Sequence, residues 1–312
     1  HNDLLNKKIA TDILKTDDTD GNDFVYPSEN GKTITGKILK LEYLKNFSIK
    51  FYKALKKVNR LVWNKKGPKT AFIYSNLVKV GIELFQEILL QNGYLEYDEN
   101  PANYKLSAET KCYFCGGTYS DHKQQKLKEN AISRLERSEK EKNISESSTE
   151  YKKYYKKDDP PKHDFYPATF ISVTGKSADE TAEVIPEDKQ RILDTVFSNI
   201  ENREGKYIKF LLGSKVMNEG ISLKNVAEVH ILDVYFNLGM IDQVMGRAVR
   251  HCSHYGIISN ENKNPEVKIY KYAVTLKNGL SSEEELYKKA EEKYKLIKRV
   301  ERILKESAID CP

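Results

Sequence analysis

Two short apolar runs on either side of a polar loop restrict the fold more than any other feature of this chain. The first run is YIKFLLGS at residues 207–214 and the second is VHILDV at 229–234, with the loop KVMNEGISL at 215–223 between them. Short apolar runs bounded by polar residues and glycine are typical of the buried strands of a parallel sheet. Ligands of such sheets bind at the carboxyl ends of the strands. We therefore expect an α/β fold whose functional residues follow its strands.

The segment QVMGRAVR at residues 243–250 has the spacing of an amphipathic helix. Its polar positions fall at i, i+3, i+4 and i+7, so we expect them to share one helical face. These positions are Gln243, Gly246, Arg247 and Arg250. A guanidinium is a planar, permanently charged fork that fits phosphate oxygens, so two of them suit the charge that develops when a γ-phosphate leaves. The alternative is an ordinary amphipathic helix whose arginines pair with surface carboxylates.

Together, the stretch LLGSKVMNEGISLKNVAEVHILD and the segment QVMGRAVR resemble the fifth and sixth motifs of superfamily 2 helicases and translocases, in their second RecA-like domain. The resemblance implies a RecA-like parallel sheet flanked by helices. It also implies that Arg250 is an arginine finger and that Arg247 and Gln243 help to sense the nucleotide, which makes these three the catalytic candidates. The candidates for contact with the nucleotide are Gly220, Ser222 and Gly246.

Ser222 departs from the family pattern, because many relatives carry an aspartate there that touches the nucleotide. A hydroxyl cannot supply that negative charge, and this departure mildly favours a degenerate domain. The fuller pattern, which includes RAVRHCSH at residues 247–254, most resembles helicase-like proteins of large cytoplasmic DNA viruses. Early transcription factors and nucleoside triphosphatases are the types of viral protein that it resembles.

The same resemblance implies contacts with a nucleic-acid backbone at other strand ends. Residues 69–75 (KTAFIYS) predict a strand that enters a helix running to about Gln91, with Asn76 as its N-cap. Residues 170–175 (FISVTG) predict another strand, and a helix begins after it at Pro186. The candidate backbone contacts are Ser75, Asn76, Thr174, Gly175 and Ser214. The alternative for Ser75 and Asn76 is a plain strand-to-helix turn.

The sequence has the motifs of one half of a motor. Superfamily 2 enzymes bind ATP and Mg²⁺ between two RecA-like domains, and the first carries the phosphate loop and the magnesium-holding carboxylates. No stretch here has the pattern GxxxxGK[ST], since Phe170 stands where the glycine preceding Gly175-Lys-Ser177 is needed, and none is a strand-borne DExx. We therefore expect the C-terminal motor half of a longer nucleic-acid-dependent ATPase, which shares ATP and Mg²⁺ with a missing first domain. These 312 residues alone should not hydrolyse ATP.

The expected partners follow from this interpretation. They are the first RecA-like domain of the same protein, a nucleic acid, with DNA favoured over RNA, and the transcription machinery. The motifs do not separate unwinding from translocation along the duplex. The competing interpretation is a non-enzymatic RecA-like scaffold module of a transcription complex.

A second group of residues has the composition of a metal site. Cys112 and Cys115 form a CxxC turn followed by two glycines, and His122 and His163 come later. Two thiolates and two imidazoles are a ligand set of closed, tetrahedral zinc sites. The segment 123–157 is rich in Lys, Glu and Ser, so a metal would hold the base of an insertion that cannot form its own core. The alternative to structural Zn²⁺ is a turn with two free thiols.

The predicted domain division places a linker or cap at residues 1–40, the RecA-like domain at 41–280 with its insertion at about 105–163, and a C-terminal helix at 281–312. Residues 44–62 predict one amphipathic helix, and residues 282–285 predict the capping box of the C-terminal helix.

Charge and hydropathy limit the setting in which the chain works. The net charge of +6 is compatible with binding a phosphate backbone. No run reaches the roughly 18 apolar residues of a membrane helix, so we expect no membrane partner. We expect an intracellular, cytoplasmic protein, found in a virus factory or a virion if it is viral.

Overall fold

The computed structural model describes residues 2–14, 23–29, 31, 33–62, 68–127, 163–174, 185–218, 221–258 and 263–308. Gly175, Gly220 and most of the predicted insertion, at residues 128–162, lie outside this part of the chain. None of the helices that are described is long and apolar enough to cross a membrane.

A parallel sheet forms the centre of the fold. The strands, in chain order, are β1 (Tyr26–Pro27), β2 (Ile34–Thr35), β3 (Thr70–Tyr74), β4 (Leu95–Glu96), β5 (Thr169–Val173), β6 (Phe210–Gly213), β7 (Val226–Ile231) and β8 (Lys268–Lys271). Strands β1 and β2 form an antiparallel pair, and the other six form one sheet in the spatial order β4-β5-β6-β3-β7-β8. Each pair of neighbours in this sheet is parallel. The predicted α/β fold with a parallel sheet is therefore confirmed.

The central strands are apolar because both faces of the sheet are covered. Side chains alternate between the faces along β3, so that Ala71 and Ile73 lie in one core and Phe72 and Tyr74 lie in the other. All four of these side chains are buried.

Helices cover both faces of the sheet. They are, in chain order, α1 (Asn2–Lys8), α2 (Leu41–Phe47), α3 (Ile49–Val58), α4 (Leu84–Gln91), α5 (Glu187–Ile192), α6 (Leu238–Ala248) and α7 (Ser282–Glu306). Helices α3 and α4 contribute Leu55 and Phe85 to the first core, whereas α6 contributes Val244 to the second. A π-helical turn at Val78–Glu83 leads into α4, which ends at Gln91 as the sequence predicts.

Two predicted helix boundaries are wrong. The single helix predicted at residues 44–62 is divided at Ser48, whose backbone is extended (φ −148°, ψ 99°) and whose hydroxyl accepts from the Phe51 N–H at 3.3 Å. The C-terminal capping box lies one residue earlier than predicted. Ser281 Oγ accepts from the Glu284 N–H at 3.1 Å, and the Glu284 carboxylate accepts from the Ser281 N–H at 2.8 Å. Two serines follow each other there, and the sequence alone does not distinguish them.

The first 40 residues contribute to the same core as the sheet. Ile9, Phe24 and Leu39 are buried in the core that also contains α3 and α4. The Asn6 side chain accepts from the Val25 N–H at 2.8 Å and donates to the Val25 carbonyl at 3.2 Å, which fixes the chain ahead of β1. The division into a linker or cap, a RecA-like domain and a C-terminal helix stays a prediction.

Candidate functional site

Three of the predicted nucleic-acid contacts lie side by side at the carboxyl edge of the sheet. Thr174 follows β5, Ser214 follows β6 and Ser75 follows β3, and these strands are neighbours. The Ser214 N–H donates to the Val173 carbonyl at 3.3 Å, and the Ser75 N–H donates to the Gly213 carbonyl at 3.2 Å. Ser75 and Ser214 are buried, whereas Thr174 is half-buried. Thr174 is therefore the most accessible of the three.

Asp233 is a residue at this edge that the sequence analysis missed. It lies two residues beyond β7, and its carboxylate accepts from the Asn76 N–H at 3.0 and 3.2 Å. Burial raises the pKa of Asp233 above its ordinary value. The sequence does indicate Asp233, because it ends the run VHILD and ligands bind at the carboxyl ends of parallel strands.

Asn76 is not the N-cap that the sequence predicts. The helical turn begins at Val78, and Ser75 Oγ accepts from the Leu77 N–H at 3.1 Å. Asn76 Oδ1 is instead buried without a hydrogen-bond partner among the residues that the structure describes.

The end of α6 is bonded to the loop 221–223. Arg247 Nη1 donates to the Ile221 carbonyl at 3.4 Å, and the Leu223 N–H donates to the Arg247 carbonyl at 2.9 Å. The guanidinium of Arg250 donates to the hydroxyl of Ser222. The two arginines and the predicted nucleotide contact Ser222 therefore form one group.

Arg250 does not belong to the helix. Helix α6 ends at Ala248, and Val249 caps it with a non-helical backbone (φ −107°, ψ 76°). The prediction that Arg250 lies on the same helical face as Gln243 and Arg247 is therefore wrong. The cause is Ser253, whose hydroxyl accepts from the Arg250 N–H at 3.3 Å and donates to the Arg250 carbonyl at 2.7 Å, which closes a turn where a helix would continue.

Gln243 and Gly246 lie on the solvent side of α6. Gln243 is exposed and lines an open groove of 460 Å³ between α6 and α7, together with Asp242 and Lys298. A Cβ atom added at Gly246 would meet nothing within 4 Å. Packing among the described residues therefore does not require a glycine at position 246.

The predicted metal ligands converge at another place. The ligand atoms of Cys112, Cys115, His122 and His163 all lie within 4.8 Å of one another. Cys112 Sγ lies 3.4 Å from His163 Nε2, and Cys115 Sγ lies 3.2 Å from His122 Nε2. Cys112 is buried and the other three side chains are half-buried. We call these four residues the Cys/His group.

Local structure explains why the Cys/His group forms. The Cys112 N–H donates to the Gly117 carbonyl at 2.8 Å, which closes the turn, and Gly116 takes the positive φ of 73° that this turn needs. Thr118 Oγ1 accepts from the Asp121 N–H at 3.1 Å and so caps the helical segment at 119–127, which carries His122 in its first turn. Hydrogen bonding from Cys115 lowers the pKa of the Cys112 thiol, and the same bond raises the pKa of the Cys115 thiol.

The Cys/His group lies at the amino edge of the sheet, where β4 and β5 begin. The Lys111 N–H donates to the Gly93 carbonyl at 2.8 Å, ahead of β4, and the Ala168 N–H donates to the Lys111 carbonyl at 2.7 Å, ahead of β5. Lys209, which precedes β6 at the same edge, is fully buried, and nothing in the sequence analysis identified it. Its Nζ donates to the carbonyls of Lys69 at 3.1 Å and Glu204 at 3.4 Å, and burial lowers its pKa to about 7.

Comparison with known proteins gives the class of the chain. Residues 181–252 match the family model of the helicase conserved C-terminal domain, a span that includes the loop 221–223, helix α6 and both arginines. Over this span the chain is similar to helicase C-terminal domains, and the resemblance predicted from the fifth and sixth motifs is confirmed.

Its relatives are helicase-like viral proteins. The chain is 52% identical, over 313 aligned residues, to a protein of Acanthamoeba polyphaga mimivirus that is provisionally named an ATP-dependent RNA helicase, with 100% of this chain and 24% of that protein covered. It is 26% identical over 265 residues to the early transcription factor large subunit homolog of African swine fever virus (isolate Pig/Kenya/KEN-50/1950), with 85% of this chain and 19% of that protein covered. The chain thus spans about a quarter or less of the length of these relatives. Among solved structures, the C-terminal part of the Fun30 ATPase domain matches with a TM-score of 0.38 and 16% identity, over 77% of this chain and 45% of the other.

Proposed function

We propose that this chain is the C-terminal motor half of a nucleic-acid-dependent ATPase, a superfamily 2 helicase or translocase, within a longer protein. The observation that supports this most is the environment of Arg250. Its guanidinium is exposed and bonded to a neutral hydroxyl, and no carboxylate of the described residues forms an ion pair with it. An arginine that only served a surface ion pair would have such a carboxylate. Arg250 is therefore available to pair with an incoming anion.

The arginines act by stabilising negative charge. ATP and Mg²⁺ would be held mainly by the phosphate loop and carboxylates of a first RecA-like domain. Arg250, on the turn after α6, reaches across the cleft toward the γ-phosphate when the two domains close, and its fork stabilises the charge of the transition state. Ser222 orients Arg250 without neutralising it. Arg247 is half-buried and bonded to the Ile221 carbonyl, so it fixes the loop that carries Ser222.

The other candidates complete this cleft. Gln243 senses the nucleotide from the exposed side of α6, and the open space at Gly246 allows close approach of the nucleotide or the partner domain. Gly220 precedes the same loop in sequence and is proposed as a further nucleotide contact.

The row of polar residues after β5, β6 and β3 is proposed to hold the nucleic-acid backbone. Thr174 is accessible, and the Asp233 carboxylate holds the backbone of Asn76 at this edge, so that Asn76 is proposed as a further contact. Ser75 and Ser214 are proposed to contribute their hydroxyl groups on the same edge, since their backbone N–H groups are already bonded between strands. Gly175 follows Thr174 in sequence and is proposed as a further contact. The early-transcription resemblance favours DNA, whereas the name of the mimivirus relative specifies RNA, so both polymers are compared in the test.

The test measures ATP turnover by the longer protein with and without duplex DNA, single-stranded DNA and RNA. We expect turnover that a nucleic acid stimulates, and the stimulating polymer identifies the track. The 312-residue chain, assayed alone, should show no turnover. Turnover by this chain alone, or a longer protein that binds nucleic acid without any turnover, would contradict the proposal.

A second function is favoured by two observations. Ser222 occupies a position where many superfamily 2 relatives carry an aspartate, and the African swine fever virus relative is named for a transcription factor subunit. A RecA-like scaffold in a virus-related, intracellular transcription complex would need neither arginine. Binding to transcription proteins that persists without any nucleotide turnover would favour this scaffold.

A further inference from the structure

We propose that Cys112, Cys115, His122 and His163 bind one Zn²⁺ ion, and that this ion joins the two sides of the segment 123–162 at the amino edge of the sheet. The proposal is independent of the motor function, because it uses neither arginine and none of the residues proposed to contact nucleotide or nucleic acid.

The distances within the Cys/His group match tetrahedral zinc. Bonds of about 2.3 Å to sulfur and about 2.0–2.1 Å to nitrogen, at tetrahedral angles, place a sulfur and a nitrogen ligand about 3.5 Å apart. The two closest sulfur–nitrogen distances are 3.4 and 3.2 Å, and all four ligand atoms lie within 4.8 Å. Both histidines present Nε2 to the sulfurs. Two thiolates and two imidazoles are a softer set than Mg²⁺ or Ca²⁺ accepts, and they suit Zn²⁺.

The backbone around the cysteines is arranged to support thiolates. The Gly117 N–H donates to Cys115 Sγ at 3.3 Å, and such amide–sulfur bonds orient and stabilise metal-bound thiolates. A Cβ atom at Gly117 would lie 3.3 Å from that sulfur, so a side chain there would crowd it. His122 is fixed by the capped helical segment, since the His122 N–H donates to the Thr118 carbonyl at 3.1 Å.

Aromatic rings enclose the Cys/His group. The ring of Phe114 lies 4.5 Å from that of His163, and the ring of Phe165 lies 5.2 Å from that of His122. Four protein ligands fill the coordination sphere of zinc, so no position remains for water or substrate. The site is therefore structural rather than catalytic.

The position of the ligands in the chain defines what the ion does. His122 lies before residues 128–162 and His163 follows them, so binding both closes a long loop. The Tyr113 N–H donates to the Tyr166 carbonyl at 3.0 Å, which brings the two sides of this loop together beside the metal ligands. The zinc would thus keep the start of β5 in place despite the long charged segment that precedes it.

Metal analysis of the purified 312-residue chain tests the proposal. We expect about one zinc per chain in the wild type and its loss in Cys112→Ser. Cys252→Ser is the matched control, because Cys252 is an exposed thiol outside the group, and it should retain the zinc. Absence of zinc from the wild type, together with failure of the reduced protein to take up added Zn²⁺, would overturn the proposal. Equal loss in Cys252→Ser would also overturn it.

A cobalt experiment tests the same ligands even if Cys112→Ser fails to fold. Co²⁺ should replace zinc in the wild-type chain and give the intense visible absorption of tetrahedral coordination with thiolate-to-metal charge transfer. His163→Cys should still bind Co²⁺, with stronger charge-transfer absorption because it adds a third thiolate. A spectrum of octahedral cobalt in the wild type, or a spectrum that His163→Cys leaves unchanged, would contradict the assignment of these ligands.

Discussion

Two regions of the protein, the proposed motor site around Arg250 and the Cys/His group with its surroundings, carry side chains in opposite states. Arg250 is exposed, and its guanidinium has one hydroxyl partner, Ser222, among the described residues. At the amino edge of the sheet Cys112 and Lys209 are fully buried, and aromatic rings enclose the Cys/His group. A region that must admit and release a ligand keeps its charges accessible, whereas a region that only maintains the fold can close over them.

After the loss of Arg250, the largest expected effect comes from Arg247, in the longer motor that we propose. Arg247→Ala removes one charged donor and the bond to the Ile221 carbonyl, so turnover should fall roughly 10²–10³-fold. ATP turnover at saturating ATP and nucleic acid measures it. Arg203→Ala, at an exposed arginine in the turn after residue 202, is the matched control and should leave turnover unchanged. Normal turnover in Arg247→Ala would break the distinction between the two regions.

Gly81 tests how tightly the turn after β3 is packed. A Cβ atom at this position would lie 2.0 Å from Ser75 Oγ and 2.8 Å from Ser75 Cβ. Gly81→Ala should therefore lower the free energy of unfolding by about 1–3 kcal/mol, and displacement of Ser75 should weaken nucleic-acid binding. Denaturant unfolding and a binding titration measure the two effects. Gly246→Ala is the control for stability, because its Cβ meets nothing within 4 Å, and it should unfold no more easily than the wild type.

The pH dependence of stability tests whether Lys209 is shielded from water at the amino edge of the sheet. Its pKa is lowered to about 7 by burial, whereas an unfolded chain restores the ordinary value of about 10.4. Between these values the unfolded state binds more protons than the folded state, so stability rises with pH. The contribution of Lys209 should amount to about 2 kcal/mol between pH 7 and pH 9.

Lys209→Met should remove this rise. Denaturant unfolding of both proteins at pH 7 and pH 9 gives the difference that isolates Lys209 from other titrating groups. Lys105→Met, at an exposed lysine, should keep the wild-type pH dependence. An identical pH dependence in Lys209→Met would show that the amino edge admits water to this lysine.

The smallest expected effect is at the start of α6, the helix that contains Arg247 and leads to Arg250. Asn237 Oδ1 accepts from the Gly239 N–H at 3.0 Å and caps α6. Asn237→Ala should cost about 1 kcal/mol in the free energy of unfolding, measured with denaturant. Asn237→Asp keeps a capping oxygen and should cost much less. Equal losses in the two variants would show that the cap does not act through this hydrogen bond.

The sequence predicts the sheet, because strands that are buried on both faces consist of consecutive, mostly apolar residues. Strands such as β3 and β6 are buried throughout and mostly apolar, so their existence and their parallel arrangement follow from residue type. The boundaries depend on contacts that no local pattern contains. Ser253 ends the helical course before Arg250, and Asp233, distant in sequence, binds the backbone of Asn76.

The two candidate sites differ in how much of them the sequence reveals. Cysteine and histidine are chemically specific, so the four members of the Cys/His group are identifiable before the fold is known, and the structure brings all four together. Lys209 and Asp233 were missed, because charged residues are common and their burial is decided by the packing of the whole sheet. The predicted roles of the arginines depend on a family resemblance and stay predictions until turnover is measured.

The most direct test of the motor account is Arg250→Ala in the longer protein, with ATP turnover and ATP affinity measured side by side. Arg250 is exposed, so its removal should leave the fold intact and affect only the chemistry. Turnover should fall by about 10³–10⁵-fold while ATP affinity changes little, because an arginine finger acts on the transition state. Normal turnover in this variant would contradict the account.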